Sequence, residues 1–521
     1  MHSSQDWWRS AVIYQIYPRS FADSNGDGVG DLAGVRGHLP YLRDLGIDAI
    51  WLSPFYPSPM VDGGYDVSDY RDVDPVFGTL ADFDALLADV HAAGLRVITD
   101  LVPNHVSSAH PWFVAALAAP PGSPARERFV FRKGNAGEPP NDWQSVFGGP
   151  AWTAVGDGDW YLHLFDPGQP DLNWESPQVH AEFEAILRFW LDRGVDGFRI
   201  DVAHGLVKAA GLPDIGKIRT GLLDTQATPY FDQDEVHEIY RRWRKILDSY
   251  PGARIGVAEA WVPNPRRTAR YVRHDELHQA FNFDYLMAPW DAGTLRRTID
   301  AAIDAYTAVG APATWVLGNH DTVRPVTRYG GGETGLRRTR AAALLMLALP
   351  GSAYVYQGEE LGLPEVTDLP AEVRQDPVWT RSGRTRRGRD GCRVPIPWSG
   401  TAAPYGFSPP GAAPPWLPPP AGWASRTVAA QTGDPTSTVE LYRTALRVRR
   451  DHPALGAGAL RWLDPPAPEV LMFARDPGLV CAVNLGGAPV TLPPYGELLC
   501  ASAPLDGTVL PPDTAAWWTR R

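Results

Sequence analysis

The chain has 521 residues, 44% of them hydrophobic, which is enough for a large core and for two or three domains. Its formal net charge of -12 argues against nucleic acid or an anionic membrane as the main partner. Its three cysteines, Cys392, Cys481 and Cys500, are too few for a disulfide framework, and their odd number indicates a reducing compartment. The start, MHSSQDWWRS, does not resemble a signal peptide, and no apolar run of about 18 residues occurs. We therefore expect a cytoplasmic protein.

Short β-rich apolar runs alternate with helix-period segments along most of the chain. The eight runs are 11–17, 49–55, 95–102, 197–203, 254–261, 279–285, 314–320 and 352–358. Eight strands alternating with helices predict an α/β fold that closes into a (β/α)8 TIM barrel. The rival fold is an open doubly wound sheet, which normally has a Gly-rich phosphate-binding turn after its first strand. The segment IYPRSFADS is not such a turn.

Two segments lie outside this alternation. Roughly ninety residues separate the third and fourth runs, far more than a normal crossover, and they are rich in Pro, Gly, Trp and Phe. We predict an inserted domain there, after strand three. Beyond a last barrel helix at 437–455, the runs LMFARD, LVCAVNL and VTLPPY predict a C-terminal antiparallel β domain of the sandwich type. The predicted division is 1–102 and 176–455 for the barrel, 103–175 for the inserted domain and 456–521 for the C-terminal domain.

Polar residues stand at the carboxyl ends of several predicted strands, where barrels of this kind carry their active sites. They are Asp100, Asn104 and His105 for the third run, Arg199, Asp201 and His204 for the fourth, Glu259 for the fifth, and His320 and Asp321 for the seventh. Each would be costly to bury without a partner. One alone is equally well explained by a structural hydrogen bond, but several on one rim indicate an active site.

The chemistry of this set suits cleavage of a glycosidic bond, which needs a nucleophile, a proton donor and stabilisation of an oxocarbenium-like transition state. Arg199 and Asp201 alternate along one strand, so their side chains face the same way. We expect the guanidinium to lower the pKa of Asp201 and keep it ionised. Glu259 lies between apolar residues in GVAEAW, and we expect partial burial to raise its pKa, as a proton donor requires.

Four segments, DLVPNH (100–105), GFRIDVAH (197–204), VAEAW (257–261) and LGNHD (317–321), resemble the consensus regions of the α-amylase family, glycoside hydrolase family 13. They occur in the family's order and at its strand ends. The resemblance implies Asp201 as nucleophile, Glu259 as acid/base and Asp321 as the carboxylate that holds the distorted sugar. It also implies that Arg199, His105 and His320 contact that sugar. Because the family retains anomeric configuration, the two catalytic carboxyl groups should lie about 5–5.5 Å apart.

Three further segments resemble the oligo-1,6-glucosidase and α-glucosidase branch of the family. They are QPDLNWE (169–175), DGGY (62–65) and GCRVPIPW (391–398). The resemblance implies that Tyr65 stacks under the terminal glucose, that Asp62 binds its 4-hydroxyl and that Arg393 pairs with Asp62. Such a clamp closes the far end of the cleft and gives exo-action on a small oligosaccharide. Two aromatic residues, Phe147 and Phe165, are expected in the same pocket, although both could instead belong to the core of the inserted domain.

The loop DSNGDGVGD (23–31) presents oxygen atoms at alternate positions, which suits a structural Ca2+ or Mg2+ ion. The predicted ligands are Asp23, Asn25, Asp27, the Val29 carbonyl and Asp31. The related enzymes bind a divalent ion at the matching position. The loop lacks the distal glutamate of a full EF-hand loop. We expect no organic cofactor, and we expect a monomer or a homodimer.

The bond that is cleaved is less clearly indicated. In this branch valine after the nucleophile accompanies α-1,6 specificity, and the chain has Val202 there. The following Ala203 and His204 instead resemble actinobacterial α-glucosidases that act on maltose and short α-1,4 oligosaccharides. The prediction is therefore a retaining exo-acting α-glucosidase, with 208–240 as a flap over the site. The alternatives are an oligo-1,6-glucosidase, an α-glucosyl transferase or isomerase, and, remotely, a catalytically silent transporter heavy chain.

Overall fold

A computed structural model describes residues 6–216, 221–456 and 458–520. Its largest sheet has eight parallel strands, ordered β10-β11-β1-β2-β3-β7-β8-β9. These strands are β1 (Val12–Ile16), β2 (Ala49–Leu52), β3 (Arg96–Leu101), β7 (Gly197–Ile200), β8 (Ile255–Ala258), β9 (Gln279–Ala280), β10 (Thr314–Val316) and β11 (Ser352–Tyr356). A parallel bridge between Phe281 and Thr314 joins the two edge strands. The predicted TIM barrel is therefore confirmed.

Helices follow the strands and cover the outside of the barrel. Their bounds are α1 (Leu32–Gly37), α2 (Leu39–Leu45), α3 (Leu80–Ala92), α4 (Pro111–Ala118), α5 (Pro177–Arg193), α6 (Val236–Asp248), α7 (Pro265–Arg270), α8 (Phe283–Met287), α9 (Ala292–Thr307), α10 (Pro325–Arg328), α11 (Gly332–Ala348), α12 (Pro377–Arg381), α13 (Val428–Gln431) and α14 (Thr438–Asp451). In α5 the apolar residues Phe183, Ile186, Leu187 and Trp190 recur at helical spacing, and all four are buried. None of the described helices has the length and apolarity that crossing a bilayer requires.

The sixth predicted strand, 279–285, is wrong over most of its length. Strand β9 ends at Ala280, and α8 begins at Phe283. The Asn282 side chain accepts a hydrogen bond from the backbone amide of Tyr285, so it caps the helix. The aromatic run that suggested a strand therefore packs as a helical turn.

The segment between β3 and α5 forms a sheet of its own. It contains α4 and the antiparallel strands β4 (Phe131–Lys133), β5 (Trp152–Ala154) and β6 (Asp159–Leu162), in the order β4-β6-β5. Its apolar core includes Trp143 and Phe165, and it continues onto Val202 and Phe231 of the barrel. The segment is thus packed directly against the loops that leave β7.

The C-terminal antiparallel domain is also confirmed. Its five-stranded sheet has the order β12-β13-β14-β18-β16, and β15 pairs with β17. The bounds are β12 (Leu460–Trp462), β13 (Val470–Arg475), β14 (Leu479–Asn484), β15 (Val490–Thr491), β16 (Leu498–Ala501), β17 (Val509–Leu510) and β18 (Thr514–Thr519). The sheet packs on α11, where the Trp517 indole donates to the Leu344 carbonyl and the Arg475 guanidinium to that of Ala348. The exact domain boundaries stay a prediction.

Candidate active site

A narrow cavity opens at the carboxyl ends of the barrel strands. Seven of the predicted site residues line it, namely Asp62, Tyr65, His105, Phe165, Asp201, Glu259 and Asp321. The other four predicted sugar contacts, Phe147, Arg199, His320 and Arg393, are buried immediately behind this lining. The carboxyl-end rim that the sequence predicted is therefore a single site.

Arg199 is the centre of the acidic cluster. Its guanidinium lies 2.9 Å from Asp100, 2.6 Å from Asp201 and 2.9 Å from Glu259. Only 1% of the arginine side chain is exposed, so these ion pairs are shielded from solvent. Its planar guanidinium suits contact with several carboxylates at once. One cation thus holds both predicted catalytic carboxylates in the same small volume.

Glu259 is oriented by two further donors. The backbone amide of Val202 donates to one carboxylate oxygen at 2.8 Å, and the Trp261 indole donates to the other at 3.1 Å. Val202 has a φ of 45°, which is unusual for a β-branched residue and strains the backbone. The strained turn directs the amide that follows the predicted nucleophile toward the predicted acid/base.

The electrostatics of Asp201 differ from the expectation. Burial raises the pKa of Asp201 well above its usual value; Arg199 opposes this, while Glu259, Asp100 and Asp321 raise the pKa further. Arg199 lowers the pKa of Asp201 in the predicted direction, but burial and the neighbouring carboxylates outweigh it, so the net pKa is raised and not lowered. Burial likewise raises the pKa of Asp100 to about 6. Both aspartates are therefore easier to protonate than an isolated aspartate.

The far end of the cavity is closed by an ion pair, but with a different arginine from the one predicted. Arg389 lies 2.6 Å from Asp62 and 2.9 Å from Asp321. Arg393 instead donates to the His320 carbonyl at 2.8 Å and pairs with Asp321 at 2.9 Å. The predicted Asp62–Arg393 pair is therefore wrong. The Arg393 side chain points toward His320, in the chain after β10. Arg389, which is four residues earlier in the sequence, is the arginine that reaches the cavity.

The acidic partner of these arginines has a low pKa. Burial alone would raise the pKa of Asp321, but His320, Arg389, Arg393 and Arg199 together lower it far below its usual range. Asp321 is therefore a carboxylate over the whole working range of pH. A permanent negative charge at this position can accept hydrogen bonds from sugar hydroxyls and can stabilise developing positive charge.

Aromatic rings form the floor and one wall of the cavity. The Tyr65 ring stacks on His320 with 5.2 Å between centroids and an interplanar angle of 3°. The Tyr65 hydroxyl donates to Asp100 at 3.0 Å, which fixes the ring. Phe165 lies 4.9 Å from His105 and faces the cavity, while Phe147 packs behind it at 5.6 Å. Of the two phenylalanines, Phe165 alone lines the cavity.

The opposite wall combines two residues that the sequence indicated, Val202 and His204, with others that it did not single out. It comprises Val146, Val202, His204, Leu222, Phe231 and Trp261. The His204 ring packs against that of Phe231, with 4.4 Å between centroids and a tilt of 35°, and its buried Nδ1 has no hydrogen-bond partner among the described residues. Phe231 and Leu222 come from the segment 208–240, of which residues 217–220 lie outside the described part of the chain. The wall is mainly apolar and has a neutral imidazole in it, since burial lowers the pKa of His204 to about 4.

The loop 23–31 is held by its own side chains. Asp23 accepts from the amides of Gly26 and Gly28, Asn25 from that of Asp27, and Asp27 from that of Val29. Asp31 caps α1 by accepting from the Gly34 amide. Within the described residues no three His, Cys, Asp or Glu side chains converge closely enough to form a metal cluster. The oxygen donor set fits a hard cation, and metal binding by this loop stays a prediction.

Eight parallel strands around a rim of carboxylates define this molecule as a (β/α)8 glycoside hydrolase. The family profile "Alpha amylase, catalytic domain" matches residues 15–458, and a domain of unknown function, DUF3459, matches residues 455–517. The chain belongs to the α-amylase family, glycoside hydrolase family 13.

Relatives cover nearly the whole chain. A probable alpha-glucosidase of Rhizobium meliloti (strain 1021) is 40% identical over 517 residues, 94% of this chain and 91% of the relative. An oligo-1,6-glucosidase of Parageobacillus thermoglucosidasius is 34% identical over 504 residues, 91% of this chain and 88% of the relative. The crystal structure of the alpha-glucosyl transfer enzyme XgtA is similar, with a TM-score of 0.89 and 39% identity over 99% of each chain.

Proposed function

We propose that this protein is a retaining, exo-acting α-glucosidase. It releases glucose from the non-reducing end of maltose and short α-1,4-glucosides through a covalent glucosyl-enzyme. The observation that carries the proposal is a cavity with one closed end: the Asp62–Arg389 ion pair stands opposite the Asp201 and Glu259 carboxylates that Arg199 holds. A cavity closed at one end has room for a chain terminus and none for an internal segment.

The first half of the reaction forms the sugar–enzyme bond. Asp201 attacks the anomeric carbon of the terminal glucose, while Glu259 donates its proton to the departing glycosidic oxygen. The bond from carbon to that oxygen breaks as the bond to Asp201 forms. Arg199 stabilises the carboxylate form of Asp201, and Asp321 holds the sugar hydroxyls during the change in ring shape. In the second half, Glu259 removes a proton from water, which attacks the same carbon from the side of the departed group. The bond from that carbon to Asp201 breaks at the same time, which releases glucose and restores the carboxylate.

Binding of the terminal glucose uses the remaining side chains of the closed end. Tyr65 stacks beneath the sugar ring, and His105 and His320 donate to its hydroxyl groups. Asp62 and Arg389 bind the 4-hydroxyl, where the next sugar of a longer chain would otherwise continue. Phe165 packs against the rim of the same subsite, and Arg393 keeps Asp321 in place from behind. These interactions with a distant part of the substrate fix the anomeric carbon against Asp201.

Two alternatives differ in what lies beyond the cleaved bond. Val202 is typical of α-1,6 enzymes, which favours an oligo-1,6-glucosidase, and the mainly apolar wall around Phe231 favours transfer of glucose to an acceptor other than water. We favour α-1,4 hydrolysis because Ala203 and His204 differ from the 1,6-type pattern. A silent heavy chain is disfavoured because every predicted catalytic carboxylate is present in the cavity.

The test is a panel of initial rates with maltose, isomaltose, sucrose, trehalose and maltotriose, with products resolved by chromatography. The proposal predicts the highest kcat/KM for maltose or maltotriose, with one glucose released per event. Preference for isomaltose would favour the 1,6 alternative, and products of unchanged mass would favour the isomerase. No turnover of any of the five would overturn the proposal.

We further propose a structural Ca2+ or Mg2+ ion in the loop 23–31. Asp23, Asn25, Asp27, Asp31 and the Val29 carbonyl would hold it, and the ion would stabilise the loop without entering the reaction. We also propose a cytoplasmic location, which the three free, buried cysteines suit, and a monomer or homodimer in solution.

A further inference from the structure

Lys208 is a buried charge close to the cavity that the reaction above does not use. Its ammonium group lies 2.8 Å from Asp171, 2.9 Å from the Asn104 side-chain oxygen and 2.6 Å from the Gly205 carbonyl. The lysine side chain is 5% exposed and that of Asp171 is fully buried. An ammonium has three donors, and here each one has an acceptor. Burying a lysine charge costs free energy unless each of its donors has an acceptor. An arrangement that provides all three acceptors therefore indicates a role for this side chain.

The three acceptors come from three separate stretches of chain. Asn104 follows β3, Asp171 lies at the end of the inserted segment, and Gly205 is in the loop that leaves β7 just after Asp201. On its other side that loop borders an open cleft of about 430 Å³, lined by 206–212, 172–175 and the start of α6. Residues 203–206 of this loop are buried, and next to the cleft the Lys208 ammonium joins the loop to both Asn104 and Asp171.

The contact with Asn104 has a consequence for His105. Lys208 can only donate, so the Asn104 side-chain oxygen must face it and the amide nitrogen must point the other way. That nitrogen donates to Asp171 at 3.2 Å, which favours the same orientation, and lies 3.1 Å from Nδ1 of His105. Because an amide nitrogen is a donor, Nδ1 must accept, and the single ring hydrogen of a neutral imidazole then stands on Nε2.

The other side of the ring agrees with this assignment. Nε2 of His105 lies 3.1 Å from the Tyr65 carbonyl, which can only accept. It also lies 3.1 Å from the Gln169 side-chain nitrogen, but that nitrogen has its own acceptor in Asp62 at 3.2 Å. Burial lowers the pKa of His105 to about 4, so the ring is neutral at working pH and its tautomer decides what it can donate. His105 lines the cavity, so an Nε2 hydrogen is available at the edge where the sugar binds.

We propose that Lys208, paired with Asp171, is a positioning residue: the pair sets the tautomer of His105 through the Asn104 amide, and Lys208 also holds the loop after the nucleophile. The kinetic part of this inference rests on the proposed function. The tautomer part does not, because it concerns only the free protein. Without both Lys208 and the Asp171 carboxylate, the Asn104 amide can turn over. Nδ1 can then carry the hydrogen, and Nε2 presents a lone pair to the sugar hydroxyl in place of a donor.

The test compares Lys208→Met with Lys133→Met, the same change at a lysine that is 66% exposed and pairs with Asp159. Because Lys208→Met leaves the buried Asp171 charge unpaired, a third variant, Lys208→Met/Asp171→Asn, removes both charges. The measurements are the thermal midpoint, kcat and KM for maltose, and the ring-nitrogen chemical shifts of His105 in 15N-histidine-labelled protein, assigned with His105→Gln.

For the double variant we expect a thermal midpoint close to that of the parent, a kcat lowered roughly tenfold or more with KM changed less, and loss of the pure Nε2-protonated signal of His105. Lys133→Met should match the parent in all three. Parent-like kcat together with an unchanged His105 tautomer in the folded double variant would overturn the inference. Inactivity of the parent itself would overturn the proposed function instead, while the chemical shifts would still test Lys208.

Discussion

At the residue scale, the closed end of the cavity is held together by Arg389, which forms ion pairs with three carboxylates. It contacts Asp62 at 2.6 Å, Asp321 at 2.9 Å and Asp376 at 2.5 Å, and its side chain is 9% exposed. Such multidentate pairing needs the planar guanidinium, which a lysine ammonium cannot reproduce. The closed end therefore depends on this one residue being arginine.

Replacing Arg389 tests that dependence. We expect Arg389→Lys to lower kcat/KM for maltose roughly 100-fold, about 2.7 kcal/mol, because both the terminal-glucose clamp and the setting of Asp321 are lost. Arg387→Lys, two residues away and exposed, is the matched control and should change little. A fall of less than about threefold for Arg389→Lys would contradict the clamp.

The acidic cluster makes a pH prediction. Asp201 must be ionised to attack, and its pKa is raised by burial and by neighbouring carboxylates, so kcat/KM should fall on the acid side at a pH well above the usual range of an aspartate. Asp100→Asn removes one neighbouring negative charge, which favours ionised Asp201. The acid limb should therefore move to lower pH, by about one unit, even if the maximal rate drops.

The measurement is the profile of kcat/KM against pH for the parent, Asp100→Asn and Asp69→Asn. Asp69 is exposed, and its change should leave the limb in place. A limb that stays fixed or moves to higher pH in Asp100→Asn would show that this carboxylate does not share the titration of Asp201.

The sequence identified the carboxylates of the site because a charged residue at the end of an apolar strand is costly to bury unless it has a partner or a function. Sequence reasoning assigned Arg393 as the partner of Asp62, where the structure has Arg389. Both arginines stand in a loop, where spacing does not decide which side chain turns inward. Sequence reasoning did not identify Lys208, because a lysine after a strand is usually a solvated surface residue. Its buried partner Asp171 is distant in sequence and becomes a neighbour only through the fold.

At the element scale, the segments after β7 decide how much room exists beyond the cleaved bond. Phe231 packs against His204, with 4.4 Å between ring centroids, and belongs to the same apolar core as Trp143 of the inserted segment. This shared core keeps the Phe231 ring in place as part of the cavity wall near Glu259. A bulky ring at this point limits what can follow the first sugar.

Removing that ring should relax the preference for short substrates. We expect Phe231→Ala to raise kcat/KM for maltotetraose relative to maltose by roughly fivefold, because the cavity lengthens on the acceptor side. Phe147→Ala, on the glucose side and behind the lining, is the comparison. An unchanged ratio in Phe231→Ala would remove this segment from the control of chain length.

Helices and strands were predictable where they contain enough residues to show a regular hydrophobic pattern. The buried stripe of α5 and the apolar runs of the barrel indicated their structure, whereas the three- and four-residue strands β4, β5 and β6 are too short to show a period. The prediction of the sixth barrel strand was wrong beyond Ala280 because Asn282 caps a short helix in the aromatic run that follows. Local capping outweighed strand propensity there.

At the scale of the whole molecule, the loop 23–31 joins the barrel to the Pro-rich stretch that follows Trp398. Asp23 donates its amide to the Phe407 carbonyl, and the Ala413 and Trp416 amides donate to the carbonyls of Gly26 and Gly28. Order in this loop is thus coupled to order in a long irregular segment. An ion bound here would stabilise more than the loop itself.

We expect Ca2+ or Mg2+ in excess to raise the thermal midpoint relative to protein in EDTA, by on the order of 2 °C at about 100 times the Kd, because the ion binds the folded chain alone. Asp27→Ala should abolish this dependence, since Asp27 is an exposed member of the donor set. Asp69→Ala is the control. Equal midpoints with and without the ions in the parent would contradict the metal site.

The central claim is that Asp201 forms a bond to the terminal glucose. Its most direct test is peptide mass spectrometry of Glu259→Gln after incubation with 5-fluoro-α-glucosyl fluoride, a donor whose good leaving group needs no proton and whose intermediate breaks down slowly. We predict one fluoroglucosyl group on the peptide that contains Asp201, and none in a protein that also carries Asp201→Asn. Labelling of a different carboxylate, or an unlabelled protein that nevertheless turns the donor over, would contradict the claim.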